Sequence, residues 1–328
     1  MSVASLSGLN EQELLALRQR IGDAHLAQRL AAQADHARWR RGRGQLHLEN
    51  FGTLVRAVRL ILRVTGLTAL GRRNALALTV RQHTIVLPGL PPAFVGLRIL
   101  HLSDLHFDGF PGFGQHIART IAGRPFDLAV ITGDFRFYTH GGYAHLAAEL
   151  AALAPALACR LGVFGILGNH DLIEMVPMVE RAGVRLLLNE SARLAQDGAA
   201  VWLAGLDDAH FFGLHDFAKA LRGVPANAFR VLLVHSPELL PEAAAHGFAL
   251  YLTGHTHGGQ ICLPGGFAPY MNIRCHPDLI SGAWQYGAMQ GYTSAGVGAS
   301  GVFARFFCPP EIVIHTLMAY SGVETTGR

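Results

Sequence analysis

Seven residues of this chain are of the types that hold divalent cations, and most of them close apolar runs. LRILHLS leads into Asp104, with His106 two residues on; DLAVITG leads into Asp134, LGVFGILG into Asn169, RVLLV into His235, and ALYLTG into His255 with His257 beyond it. The donors are carboxylate, carboxamide and imidazole without thiolate, which suits Mn, Fe or Zn at a hydrolytic centre. Seven are too many for one tetrahedral ion. Taken singly, DLH also fits a capped turn, GNHD a Gly/Asn turn and GHTHGG a polar loop, although two imidazoles on one short loop are seldom needed for packing.

To bring these residues together, the apolar runs must be strands of one sheet system. LRILHLS, DLAVITG, LGVFGILG, AAVWLAG, RVLLVH and ALYLTG alternate with helical stretches, which predicts an α/β layered fold with additional strands and loops after Gly258. In open α/β sheets the carboxyl ends of strands face one crevice, so ligands distant in sequence converge there. Upstream, Asn10 and Glu13 form a capping-box pattern that opens a helix running to about Ala37, stopped by WRRGRG; its stripe Leu14, Leu17, Ile21 reads as packing. A second helix is predicted from Phe51 to Val64, and PGLPP at 88–92 marks a linker. The expected division is a basic helical extension over 1–80 and a catalytic domain over 81–328.

The 328 residues are half apolar and 15% charged, which excludes intrinsic disorder and leaves room for a large core. Cys159, Cys262, Cys275 and Cys308 form no CxxC pair and read as reduced thiols of a cytosolic protein. Residues 1–98 carry 14 Arg against 5 acids, a net of +9, whereas the remainder is net −5. The basic charge therefore lies before Ile99, away from the ligand-bearing strands, and a nucleic-acid partner is not expected. Glu11 and Glu13 interrupt the leucines of the N-terminus, unlike a secretory signal, and Arg56, Arg59 and Arg63 break residues 54–70 as a membrane span. The Arg40–Arg41 pair leaves export by a twin-arginine route as an alternative. On a helix those three arginines share one arc while Leu54, Val55, Val58, Leu60, Ile61, Leu62 and Val64 spread round the rest, the layout of a helix lying in an interface. The expectation is a cytoplasmic protein, peripheral on an anionic inner membrane face; the competing reading packs this apolar face on the catalytic domain.

With these pieces on one chain, the sequence resembles the calcineurin-like metallophosphoesterases: DLH at 104–106, GD at 133–134, GNHD at 168–171, His235 and GHTH at 254–257 follow that family's order and spacing over roughly residues 81–318. The flanks HSPE, GHTHGGQI and FFCPPEIVIHTL are similar to the bacterial branch of membrane-associated phosphodiesterases, which contains enzymes hydrolysing UDP-2,3-diacylglucosamine. Ala295 in TSAGVG is a departure, since relatives often carry Arg there. The resemblance implies the metallophosphoesterase fold, a layered β-sandwich flanked by helices. It implies that Asp104, His106 and His257 hold one metal, that Asn169, His235 and His255 hold a second, and that Asp134 bridges them; Mn2+ is the expected ion, with Fe or Zn as alternatives.

Two such ions against two carboxylates leave a surplus of positive charge that attracts phosphate and lowers the pKa of a bridging water. By the same resemblance His170 lies beside the metals as the group that stabilises charge or protonates the leaving oxygen, with Asp171 orienting its ring. The implied activity is that of a phosphodiesterase or pyrophosphatase using metal-activated hydroxide, on a lipid-linked substrate if the membrane reading holds. A phosphomonoesterase is the rival within enzymes. A scaffold without catalysis is the rival outside them, and the complete ligand set argues against it. Arg136, Tyr138, His140 and the stretch DDAHFFGLHD at 207–216 read equally as substrate contacts or ordinary loop.

Overall fold

Runs of four or five consecutive apolar residues bury both faces only when layers lie on either side of the strand, and that is how this chain uses them. The computed structural model describes residues 8–39, 41–42, 45–46, 52–139, 141–269, 273 and 275–320. Its strands in chain order are β1 (Arg41–Gly42), β2 (Gln45–Leu46), β3 (Thr79–Leu87), β4 (Arg98–Leu102), β5 (Leu128–Ile131), β6 (Val163–Gly165), β7 (Val184–Leu186), β8 (Glu190–Gln196), β9 (Ala199–Gly205), β10 (Phe229–Leu233), β11 (Leu250–Thr253), β12 (Gly282–Tyr286), β13 (Met289–Thr293) and β14 (Glu311–Ala319). The longer helices are α1 (Glu11–Ile21), α2 (Asp23–Trp39), α3 (Gly52–Val64), α4 (Thr68–Leu76), α5 (Phe113–Ile121) and α6 (Leu146–Leu157).

Among the described residues β3 to β14 form two six-stranded sheets, ordered β3-β14-β4-β5-β6-β7 and β12-β13-β11-β10-β9-β8. The pairs β4–β5, β5–β6 and β6–β7 are parallel, as are β9–β10, β10–β11 and β11–β13. The six apolar runs of the sequence are β4, β5, β6, β9, β10 and β11, and the segment after Gly258 supplies β12, β13 and β14. Alternation along β4 shows the layering: Ile99 joins Val130, Val231 and Leu252 between the sheets, while Leu100 and Leu102 face Ile117 and Leu150 of the outer helical layer. A third apolar cluster around Phe217, Leu240 and Trp284 covers the other sheet. The fold is the predicted α/β sandwich flanked by helices.

The predicted helix from Asn10 to about Ala37 is two helices. The capping box is present, with Asn10 Oδ1 accepting from Glu13 N at 2.9 Å and Glu13 Oε2 accepting from Asn10 N at 3.0 Å, but the chain turns at Gly22 before α2 begins. Leu17, Ile21 and Leu26 are buried in the same layer as α5 and α6. In α3 the apolar residues divide: Leu62 is buried, whereas Leu60, Ile61 and Val64 are 61%, 59% and 78% exposed beside exposed Arg56, Arg59 and Arg63. Among the described residues no helix is long and apolar enough to cross a membrane. The side chains of Leu54, Arg38, Arg41 and Arg43, and residue Arg40, lie outside the described set.

Between the sheets runs a chain of imidazoles. His83 Nδ1 lies 3.1 Å from His315 Nδ1, His315 Nε2 lies 3.3 Å from His101 Nδ1, and His101 Nε2 lies 3.0 Å from Thr132 Oγ1. Burial lowers all three histidines, His101 to about 3.

Candidate metal centre

Each donor is set by the turn that follows a strand. Asp104, His106, Asp134, His255 and His257 all have left-handed backbone, with φ of +53°, +43°, +57°, +69° and +51°, a conformation sparsely used by residues with a Cβ and concentrated at functional sites. These turns brace one another: Asp104 N–H donates to Gly133 O, His106 N–H to Asp134 O, and His255 N–H to Asp104 Oδ2 at 3.1 Å. The approach is close enough that only glycine fits at two neighbouring positions. A Cβ on Gly168 would lie 2.2 Å from Asp134 Oδ1, and one on Gly254 would lie 1.8 Å from Ser103 Oγ.

The structure brings all seven sequence-predicted donors into one buried site. Donor atoms of Asp104, His106 and His257 lie within 4.8 Å of one another, as do those of Asp134, His235 and His255. His106 Nε2 faces His257 Nε2 at 3.1 Å, and His235 Nε2 and His255 Nδ1, 3.3 Å apart, both converge on Asn169 Oδ1. Asp134 Oδ2 lies 3.3 Å from His235 Nε2 and 3.7 Å from His106 Nε2, so it stands between the two groups. Asp104 Oδ1 is buried, has no hydrogen-bond partner among the described residues, and lies 3.4 Å from His257 Nε2. Opposed imidazole nitrogens around carboxylate and carboxamide oxygens, with an orphaned carboxylate oxygen among them, fit divalent cations and are costly without them.

Protonation follows from burial and proximity. Burial lowers His106, His255 and His257, leaving them as the neutral imidazoles that metal binding requires. Asp104 is pushed up to about 6, chiefly by burial and further by Asp134 against the opposing pull of His235. Burial would raise Asp134 and lower His235, yet their mutual attraction outweighs it: the carboxyl is held well below its usual range and His235 rises to about 10. A cation at His235 Nε2 therefore displaces a proton. The second nitrogens are tied to the backbone: His235 Nδ1 donates to Thr132 O at 2.7 Å, and His106 Nδ1 to Arg136 O.

His170 is 8% exposed beside the donors, its Nε2 3.9 Å from Asp134 Oδ2 and its pKa lowered to about 4, mainly by burial. The expectation that Asp171 orients this ring needs correction, because His170 Nδ1 donates to Phe137 O at 2.8 Å instead. Asp171 ties the loops together: its carboxylate accepts from the N–H groups of Asp134, Phe135 and Gly168 at 2.8 to 2.9 Å. Arg136 is fully buried, donating to Gly141 O, and Tyr138 is exposed; His140 lies outside the described residues.

Sequence reasoning missed Arg305, whose buried guanidinium donates to Ala295 O, Gly296 O and Gly298 O, seven to ten residues away in the chain. It also missed His210, singled out only as part of a loop, whose ring lies 4.4 Å from that of His255 and which pairs with Glu238 at 2.9 Å. A cavity of about 290 Å³ opens from Asp134, His170 and His257, and its far wall is Val55 and Val58 of α3. Arg59 ties that helix down by donating to Gly301 O at 2.9 Å.

A family model described as Calcineurin-like phosphoesterase matches residues 97–259. The chain is 30% identical over 244 residues to the uncharacterized metallophosphoesterase YkuE of Bacillus subtilis, covering 72% of this chain and 84% of that protein. It is 27% identical over 237 residues to YkoQ of the same organism, covering 69% and 85%. To the phosphodiesterase YaeI of Escherichia coli it is 29% identical over 241 residues, covering 67% and 82%.

Proposed function

The chain belongs to the calcineurin-like metallophosphoesterase family and is a metal-binding phosphoester hydrolase, and from that premise we propose that it is a two-metal phosphodiesterase or pyrophosphatase. The observation that carries this reading is Asp134, buried between two donor groups. We assign Asp104, His106 and His257 to one ion, Asn169, His235 and His255 to the other, and Asp134 to both. When bound there, two divalent ions, Mn2+ by preference, would supply the Lewis-acid charge for phosphoryl binding and for lowering the pKa of a water. The chain's own residues hold that geometry: backbone carbonyls at Thr132 and Arg136 fix the His235 and His106 rings. His170, fixed by Phe137 O at the cavity wall, acts from Nε2 and, when protonated there, gives that proton to the leaving oxygen.

The substrate proposed is a lipid-linked diester or pyrophosphate. Val55, Val58, Ile261 and Val302 make the cavity walls apolar above a polar floor, which suits a phosphate carrying an apolar group. The outward face of the same α3 mixes exposed Leu60, Ile61 and Val64 with three arginines, and within the 1–80 extension this segment is the one we assign to an anionic inner membrane face. The test is turnover of the Mn2+-loaded protein on bis-p-nitrophenyl phosphate, p-nitrophenyl phosphate and UDP-2,3-diacylglucosamine. Preference for the lipid pyrophosphate or the diester supports the proposal, and preference for the monoester overturns it.

A further inference from the structure

We infer that helix α2 positions the metal centre, acting through Arg29 and Gln33, an inference that rests on the two-metal reading above. Arg29 is fully buried although it lies in a helix upstream of every strand that carries a ligand. Its Nη2 donates to Asp171 O at 3.1 Å, its Nε lies 3.6 Å from Asp207 Oδ1, and its guanidinium stacks 3.6 Å from the centre of the Phe212 ring. Four residues further along the same face, Gln33 Oε1 accepts from Ile173 N at 2.8 Å and Gln33 Nε2 donates to Glu174 Oε2 at 2.8 Å. Four residues earlier, His25 Nε2 lies 2.9 Å from Asp207 Oδ2.

Spacings of four residues put His25, Arg29 and Gln33 on one stripe of the helix, and the stripe spans two loops. One loop is 169–174, which carries Asn169 and His170 and whose Asp171 carboxylate holds the backbone of Asp134 and Gly168. The other is 207–212, where Asp208 Oδ2 accepts from the amides of Phe211 and Phe212 and His210 lies against His255. Arg29 is thus a buried cation joining the two loops that flank the Asn169–His255 side of the centre. Burying a guanidinium is costly, and among the described residues Nε and Nη1 of Arg29 have no hydrogen-bond partner, so packing alone gives no reason for an arginine here. A charge that sets the spacing of Asp171 and Asp207 does. Arg29 and Gln33 are positioning residues; neither touches a metal donor.

The experiment is a Co2+ titration of the metal-free full-length protein, followed by visible absorbance, with kcat and KM on bis-p-nitrophenyl phosphate for the Mn2+-loaded forms. Arg29→Ala should fold with a cooperative melt, bind Co2+ about tenfold more weakly with an altered absorption band, and lose kcat by at least tenfold while KM moves less than threefold. Guanidinium at millimolar concentration should restore kcat in a saturable way in this variant alone, and equal NaCl should not. Wild-type Co2+ affinity and kcat in a folded Arg29→Ala would overturn the inference, as would losses that guanidinium leaves unchanged. If Arg29→Ala does not fold, Gln33→Ala decides: a shifted cobalt band with kcat reduced at least threefold supports positioning, and wild-type values overturn it. Failure of the wild-type protein to bind Co2+ or to cleave the diester would instead overturn the two-metal reading.

Discussion

Acidification should unfold this protein through the imidazole chain between its sheets. His101 and His315 are fully buried, and burial lowers both, His101 to about 3 and His315 well below its ordinary value, with His101 and His83 adding to the shift at His315. In the unfolded chain each titrates near 6.5. A histidine whose folded pKa is depressed gives full stability above the unfolded pKa and loses it as pH falls, here from about 6.5 toward 3. Each proton that the unfolded chain takes up and the fold excludes costs about 1.4 kcal/mol per pH unit once pH is well below 6.5, so from pH 6.5 to 5.0 the two residues remove about 3 kcal/mol, a large share of the 5–15 kcal/mol typical of a folded domain. The assay is urea unfolding at pH 7.0, 6.0 and 5.0 of the metal-free wild type and of His315→Gln, whose amide can keep hydrogen bonds to both neighbours. The metal-donor histidines are common to both proteins and cancel. The wild type should lose about 1.4 kcal/mol more per pH unit below pH 6 than the variant. Parallel pH dependences would refute the reasoning, because they would mean that His315 is protonated in the fold.

Asp134→Ala should lose both ions by elemental analysis, since its carboxylate stands between the two donor groups; two tightly retained metals would contradict the bridging role. His170→Ala should keep its metals and its melting temperature within a few degrees while kcat falls about 10²-fold, measured on a soluble diester. Gly168→Ala should abolish metal binding in a protein that still shows native circular dichroism, because its Cβ would meet the Asp134 carboxylate and backbone. Ile61→Asp with Val64→Asp should abolish flotation with anionic vesicles and leave turnover of bis-p-nitrophenyl phosphate unchanged; undiminished flotation would remove α3 from the membrane proposal.

The sheets and the donor positions were legible because they are local patterns. An apolar run of four or five residues followed by Gly-Asp, Gly-Asn or Gly-His states both the strand and the turn that ends it, and the glycine is dictated by the crowding seen at Gly168 and Gly254. What holds the donors was not legible, because its partners are remote: Arg29 meets Asp171 across 142 positions, and no periodicity encodes that contact. The ring of His170 is fixed by a backbone carbonyl at Phe137, and a carbonyl has no residue type to read. The break at Gly22 was hidden because the apolar stripe continues on either side of it. In α3, Val55, Val58 and Leu62 face the protein, as the packing reading expects, while Leu60, Ile61 and Val64 face out, and the membrane reading of that outer side stays a proposal.

The place of β14 has a consequence for how the protein is made. This strand lies between β3 and β4, pairing with β3 over its whole length, from Glu311 with Thr79 to Ala319 with Leu87. During synthesis β3 leaves the ribosome with no neighbour, and its partner follows 232 residues later, as the pairing of His83 with His315 measures. At about 5–20 residues per second that interval is roughly 10 to 50 s, during which Ile85 and Leu87 and one edge of β4 stay uncovered. All seven residues proposed as metal donors have emerged by His257, so the proposed site's residues are complete before the sheet beneath them closes. A nascent chain arrested between His257 and Glu311 would carry every residue of the centre on an open sheet, prone to pair with a second such chain.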